Sequence, residues 1–178
     1  MERLETPRLI LRRWRTTDVG DLFDIMKSPT VLMGGWKPHT NMNITAEALS
    51  GYINNDERWA VELRNNGKVI GSIRVYPDTN RGKFYAKSIN YVLSEEYRGN
   101  GYMTEAVRRI IKCLFEEMNV DLISAFHYPD NIKSKRVLEN CGFEYEITIE
   151  GGSQRYDGHV FDAVCYSILK SDYERVNL

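Results

Sequence analysis

What this sequence lacks narrows it first. It has only three cysteines, Cys113, Cys141 and Cys165, far apart and odd in number. They form neither a disulfide framework nor a metal-ligand spacing. They read as reduced, mostly buried thiols, and no metal is expected. An excess of either charge is also missing: 24 basic and 25 acidic residues leave a net charge of −1. That balance supplies no general attraction to nucleic acid or to an anionic membrane, so neither is expected as a partner. No apolar run reaches the length of a membrane span. Residues 1–15 carry charges throughout and contain no apolar stretch of the signal-peptide kind. The chain therefore reads as cytoplasmic. Repeats, low-complexity segments and linkers are absent too. Only residues 34–40 and 150–158 are rich in turn formers. With 178 residues, 42% of them hydrophobic, the chain reads as a single domain, 1–178.

Secondary structure is legible from periodicity. Residues 9–13 read as a first strand. Asp18 is placed to cap a helix to about residue 27, and Ser28-Pro29 ends it. Thr45 is placed to cap a second helix to about residue 54. Trp59, Val61 and Leu63 alternate, Asn65-Asn66-Gly67 turns, and residues 69–76 return, which predicts a hairpin. Residues 84–93 add a third antiparallel strand. Met103, Ala106, Val107, Ile110, Ile111, Leu114, Phe115 and Met118 then form one wide apolar stripe at helical spacing. Residues 122–127 read as a short strand and 131–140 as a helix closed by Gly142. Phe143, Tyr145, Ile147 and Ile149 alternate with polar residues, which predicts a half-buried strand. Residues 160–169 form the last strand. A helix between residues 93 and 122 makes the flanking strands parallel. The fold class is thus α/β with a mixed sheet.

Two stretches carry chemistry. Arg98, Gly99, Asn100, Gly101, Tyr102 and Met103 join a strand to the long helix. Two glycines allow a tight turn and close approach of a ligand. The helix start offers unpaired N–H groups and about half a positive charge, which suits an anion such as a pyrophosphate. Arg98 adds a cation. The stretch is neither Gly-x-Gly-x-x-Gly nor a Gly-Lys-Ser/Thr P-loop. Some thirty residues later, Asn131 is placed to cap a helix, with Ser134 one turn inside it. Either stretch alone is equally an ordinary loop or cap.

Together, at this spacing, they resemble the GNAT superfamily of N-acetyltransferases. The family's phosphate loop, Arg/Gln-x-x-Gly-x-Gly/Ala, matches Arg98 through Met103. Its later Asn-x-x-Ser/Ala with Gly-Phe matches Asn131, Ser134, Gly142 and Phe143. The chain is further similar to the RimJ/RimL-type ribosomal-protein N-acetyltransferases. The likeness lies in Glu5-Thr6-Pro7-Arg8-Leu9-Ile10-Leu11-Arg12, Tyr102-Met103-Thr104-Glu105-Ala106, Asp157-Gly158 and Asp162. It covers essentially the whole chain. Two positions depart: Met103 stands where Gly or Ala is usual, and Leu138 stands where many relatives carry a catalytic tyrosine.

The resemblance implies a mostly antiparallel mixed sheet of six to seven strands, with splayed parallel central strands and about four helices. It implies acetyl-CoA as co-substrate. Tyr91, Val92 and Leu93 would hydrogen-bond its pantetheine arm. Arg98, Gly99, Asn100, Gly101, Tyr102, Met103 and Thr104 would hold its pyrophosphate, and Asn131 and Ser134 would contact the arm. Lys133, Lys135 or Arg136 would meet the ribose phosphate, or else form a solvated helix face. Ser134 is the candidate acid for the departing thiolate. Glu150 is nominated as base, with His39 and His127 as alternatives, and His39 and Trp36 lie in a loop suited to the acceptor. The expected function is acetyl transfer to a primary amine, with a protein N-terminal α-amine favoured. An α-amine has a pKa of about 7.7–8.0 against about 10.4 for lysine, so it needs less help to lose its proton. A small-molecule amine acceptor, or an acyl-CoA sensor without turnover, stay open. The protein is expected to be a monomer or homodimer.

Overall fold

The computed structural model describes residues 3–55 and 57–177. Its strands are β1 (Leu4–Glu5), β2 (Leu9–Arg12), β3 (Arg58–Leu63), β4 (Val69–Pro77), β5 (Ala86–Leu93), β6 (Leu122–His127), β7 (Glu144–Gln154) and β8 (Val160–Leu169). Its α-helices are α1 (Val19–Met26), α2 (Met42–Ile53), α3 (Tyr102–Lys112), α4 (Ile132–Asn140) and α5 (Lys170–Asn177). The strands hydrogen-bond in the order β1-β2-β3-β4-β5-β6-β8-β7. The mixed α/β class holds, with an eighth short strand, β1, and a terminal helix, α5, beyond those read from periodicity. The chain forms two compact units, Met1–Arg74 with Tyr91–Ala106, and Val75–Asn90 with Val107–Leu178.

In the first unit, β2, β3 and β4 run antiparallel, with Leu11 opposite Val61 and Ala60 opposite Ser72. Alternation places Ala60 on the face that packs with Trp14, Leu22, Ile25, Met26, Val31, Leu49 and Val92. Two capping expectations need correction. Asp18 precedes α1 but makes no side-chain cap. Its carboxylate instead receives both Nη atoms of Arg12, at 2.8 and 2.9 Å, and the Arg15 amide at 2.8 Å. Arg12 also donates through Nε to Glu62 at 2.5 Å. Arg12 and Asp18 are only 6% and 5% exposed, so a charge pair outcompetes the cap. The second helix starts earlier than expected. Asn41 caps it, accepting from the amides of Asn43 and Ile44 at 3.0 and 3.1 Å. Thr45 lies inside it, wholly buried, and meets His39 Nδ1 at 3.0 Å.

In the second unit, β5 and β6 are parallel over three pairs only, Ala86 with Leu122, Lys87 with Ile123 and Ser88 with Ser124. The α3 helix stays regular to Lys112, then widens into a π turn over Cys113–Glu117. The Met118 amide donates to the Cys113 carbonyl at 3.0 Å, and Asn119 closes the segment at φ 55°. The half-buried strand expected around Tyr145 is also corrected. Phe143 is 4% exposed, but Tyr145, Ile147 and Ile149 are 57%, 55% and 49% exposed. The strand is real, but it is the last in the order and, among the described residues, bonds to β8. Alternation reports which residues share a face, not whether anything covers it.

Arg12 provides a test. Arg12→Ala leaves the Asp18 and Glu62 carboxylates buried without their cation. We expect a loss of about 3–5 kcal/mol, read as a lower urea midpoint at unchanged slope. An unmoved midpoint would show that the pair is not buried as described.

Candidate functional site

The glycine loop lies wholly in the first unit. Gly99 and Gly101 have φ of 81° and 76°, a left-handed backbone that other residues enter at a cost. The Glu105 amide donates to the Gly101 carbonyl at 3.0 Å and opens α3. Among the described residues, the amides of Gly99, Asn100, Gly101, Tyr102 and Met103 donate to nothing. The loop's carbonyls are taken instead by side chains. Asn100 Nδ2 donates to the carbonyls of Tyr97 and Arg98 at 3.2 and 3.1 Å. Arg8 Nη1 donates to the Asn100 carbonyl at 3.0 Å. With the Arg98, Asn100 and Gly101 carbonyls engaged and its amides unspent, the loop presents donors, as an anion requires.

Arg8 and Glu105 hold this shape. Glu105 Oε2 receives Arg8 Nε at 2.6 Å, and Oε1 receives the Thr6 hydroxyl at 2.6 Å and the Arg8 amide at 3.0 Å. The Arg8 guanidinium lies 4.5 Å from the centre of the Tyr102 ring. Burial alone would raise the Glu105 carboxyl; the bonds from Thr6 and Arg8 outweigh it and hold the carboxyl below its usual range. In the sequence, Arg8 and Glu105 are only points of family likeness. Their separation of 97 positions hid the contact.

Met103 does not crowd the loop. It is 4% exposed and points inward, toward space that Gly71 leaves. A Cβ on Gly71 would lie 3.4 Å from the Met103 methyl and 2.7 Å from the Val92 carbonyl oxygen. Val92 is buried and Leu93 half-buried, and Arg98 Nε donates to the Leu93 carbonyl at 3.3 Å. Arg98 is thus turned back onto its own strand end.

The second unit carries the other candidates. Asn131 caps α4 as expected, its Oδ1 accepting from the Ser134 amide at 3.1 Å. Ser134 is half-buried, Lys133 and Arg136 are exposed, and Lys135 lies 3.7 Å from Glu139. Leu138 is fully buried, so the position of the usual tyrosine points into the core. Gly142 has φ 86°, the left-handed closure anticipated for this helix. Glu150 is exposed, on an irregular stretch where pairing jumps from Ile149–Ala163 to Ser153–Phe161. Asp162 holds that stretch by accepting from the Gly151 amide at 2.9 Å.

The two histidine alternatives differ. His39, in the first unit, is tied to Thr45, and burial pushes its pKa down, so it is neutral at pH 7. His127 is 4% exposed, with Nδ1 at 2.8 Å from the Tyr128 carbonyl. A carbonyl only accepts, so Nδ1 is the donor in that contact. That Nε2 is buried with no partner. Cys141 is no nucleophile: burial pushes its thiol up to about 12.

Comparison with known proteins agrees with this geometry. Residues 8–144 match the acetyltransferase (GNAT) domain family. An uncharacterized N-acetyltransferase of Bacillus subtilis (strain 168), YnaD, is 26% identical over 96% of this chain and 98% of its own length. The [ribosomal protein uS5]-alanine N-acetyltransferase of Escherichia coli (strain K12) is 25% identical over 96% of this chain and 92% of its own. A GNAT-family acetyltransferase from Bacillus anthracis has the same fold, with TM-score 0.86 and 20% identity, over 96% of this chain and 99% of that one.

The Glu105 clamp predicts a pH-dependent difference. A carboxyl held low in the folded state stabilises it above the ordinary range of about 4.3, and that contribution fades as pH falls. Glu105→Gln is expected to lower stability at pH 7 by about 1–2 kcal/mol. The gap should narrow toward pH 3 in urea melts of both proteins. A gap that stays constant with pH would place the loss elsewhere.

Proposed function

The chain belongs to the GNAT acetyltransferase family, and from that premise we propose that it moves the acetyl group of acetyl-CoA onto a primary amine, with a protein N-terminal α-amine as the favoured acceptor. The family implies acetyl-CoA as co-substrate. The observation that carries the reading is the row of unspent amides from Gly99 to Met103. Five N–H groups at the start of α3, beside Arg8, fit a pyrophosphate by chemistry and by charge. Acetyl-CoA, when bound, supplies a thioester carbonyl and a thiolate leaving group.

This chain's residues would then do the following. Gly99, Asn100, Gly101, Tyr102 and Met103 hold the diphosphate. The backbone of Tyr91, Val92 and Leu93 and the side chain of Asn131 bind the pantetheine amides. Aligning both substrates supplies roughly 7–11 kcal/mol of the barrier. Acid–base help adds about 10²–10⁴-fold, so positioning is the larger effect. The absence of a tyrosine at Leu138 is tolerable on those magnitudes. Ser134, half-buried at the first turn of α4, is the proposed proton donor to the thiolate.

Two residues are proposed for the base. Glu150 is an exposed carboxyl on β7, the last strand in the sheet order. His127 is favoured over it by the orphaned Nε2, a buried ring nitrogen with no partner among the described residues. An α-amine needs only about one unit of pKa help at neutral pH, which a histidine provides. The similarity to the ribosomal-protein uS5-alanine enzyme supports the α-amine acceptor. A small-molecule amine, or acyl-CoA sensing without turnover, are the alternatives. No helix among the described residues is long and apolar enough to cross a membrane.

Calorimetry with CoA tests the loop. Gly101→Asp places an anion on a backbone at φ 76° and should weaken CoA binding by more than about tenfold, or 1.4 kcal/mol. Equal heat for both proteins, or none for either, ends the proposal. Thiol release with Ala- or Ser-ending peptides and a panel of small amines tests the acceptor. Binding without release on any amine would favour the sensor. The base is separated by substitution: His127→Gln should lower kcat by about 10²–10⁴-fold, while Glu150→Gln should leave kcat nearly unchanged. The reverse pattern would assign the base to Glu150.

A further inference from the structure

The first unit contains a second set of polar atoms that its own fold does not satisfy. Trp14 Nε1, Arg58 Nη1 and Ser72 Oγ are each buried and without a partner. Trp14 and Ser72 are 3% and 2% exposed as whole residues. Leaving such groups unpaired costs about 1–3 kcal/mol each, so three on one patch need a cause.

They belong to one patch. On β3 and β4, Arg58 lies opposite Arg74 and Ala60 opposite Ser72. Opposite residues, and residues two apart, share a face. Ala60 packs in the same cluster as Trp14, with Trp36 and Tyr52 against it. The Arg58 guanidinium sits 4.2 Å from the centre of the Tyr52 ring and 5.2 Å from a ring of Trp36. Trp14 meets Tyr52 edge-on at 5.7 Å.

The atom types select the ligand. An indole N–H and a guanidinium N–H can only donate, and a hydroxyl can donate as well. What satisfies them is oxygen with lone pairs. Charge selects further. Glu57 Oε2 is occupied by Arg74, through Nε at 3.0 Å and Nη2 at 2.8 Å. Arg58 Nη1 has no such partner among the described residues. Burial disfavours the charged form of Arg58, and the second cation, Arg74, works in the same direction. A desolvated cation between two aromatic rings, with an unspent N–H, is satisfied by an anion.

We propose that Trp14, Arg58 and Ser72 form a receiving site for a carboxylate carried by the acceptor. The inference rests on the acetyl-transfer reading and narrows it. The acceptor is an amino acid, or a peptide with an acid group near its amine, rather than a polyamine or another purely cationic amine.

The test is a titration of the whole 15N-labelled chain, following the indole N–H signal of Trp14, assigned with Trp14→Phe. The probes are N-acetyl-L-alanine and N-acetyl-L-alaninamide, which differ in one carboxylate. The acid should move the signal with an affinity at least about tenfold above the amide, a 1.4 kcal/mol difference. Arg58→Gln should erase the difference. Ser72→Ala, a smaller change on the same patch, should reduce it, so the proposal stays testable if Arg58→Gln fails to fold. Equal responses to acid and amide, an unmoved Trp14 signal, or a preference that survives both substitutions would overturn it. The readout requires no turnover. Loss of CoA release on every amine would end the acetyl-transfer reading without touching this signal.

Discussion

Five backbone amides that donate to no described group set the terms for the loop around them. A helix normally begins with N–H groups that water or a cap satisfies. Here neither a serine nor an aspartate cap is built at the start of α3. The chain instead spends its side chains on the loop's carbonyls. Asn100 folds back onto Tyr97 and Arg98, and Arg8 reaches across from before β2 to the Asn100 carbonyl. Glu105 then fixes Arg8 by accepting from its Nε and its amide. A loop satisfied on its acceptor side and open on its donor side is a polarised object. Such an object suits an anion without a large net charge, which is consistent with a chain of net charge −1.

Close packing behind the loop follows from the same requirement. Gly71 allows the Val92 carbonyl to come within 2.7 Å of where a Cβ would stand. Met103 fills the remaining space from the helix side. The departure from the small residue usual in the family is therefore absorbed in the core rather than in the loop. The glycines at 99 and 101 supply the left-handed turns of the loop itself. Met103 and Gly71 read as a matched pair, one large and one small across an interior contact.

What was legible in the sequence was whatever depends on neighbours along the chain. The α3 stripe as far as Phe115, the β6 and β8 limits, and the Asn131 and Gly142 closures of α4 are local, and they stand where periodicity and capping chemistry placed them. The misread positions depend on contacts or cover that periodicity does not report. Asp18 looks like a cap until Arg12 claims its carboxylate. Thr45 looks like a cap until Asn41 supplies one four residues earlier. The apolar stripe continued to Met118, but that residue is 44% exposed because the helix has already widened into a π turn. Tyr145, Ile147 and Ile149 alternate as if half-buried, and no local signal reports that β7 is an edge. The site divides the same way. The glycine loop announces itself, whereas Arg8, Arg58 and the orphaned His127 nitrogen acquire meaning only through contacts.

Leu138 bears on how much acid the chemistry needs. It is fully buried, so a tyrosine there would have to displace core atoms before its hydroxyl could reach any substrate. The loss of that hydroxyl matters less than it first suggests. A thiol has a pKa near 8.5, so at neutral pH a departing thiolate is only modestly basic and gains little from an acid. The amine is the harder proton. It must leave before or during attack, and its pKa lies above neutrality for an α-amine and far above it for a lysine. Catalytic demand therefore falls on whatever accepts that proton and on whatever holds the amine still. In this chain the first is proposed for a buried imidazole nitrogen and the second for a desolvated guanidinium. An acceptor whose amine is already weakly basic, and whose nearby carboxylate gives the enzyme something to grip, asks least of both.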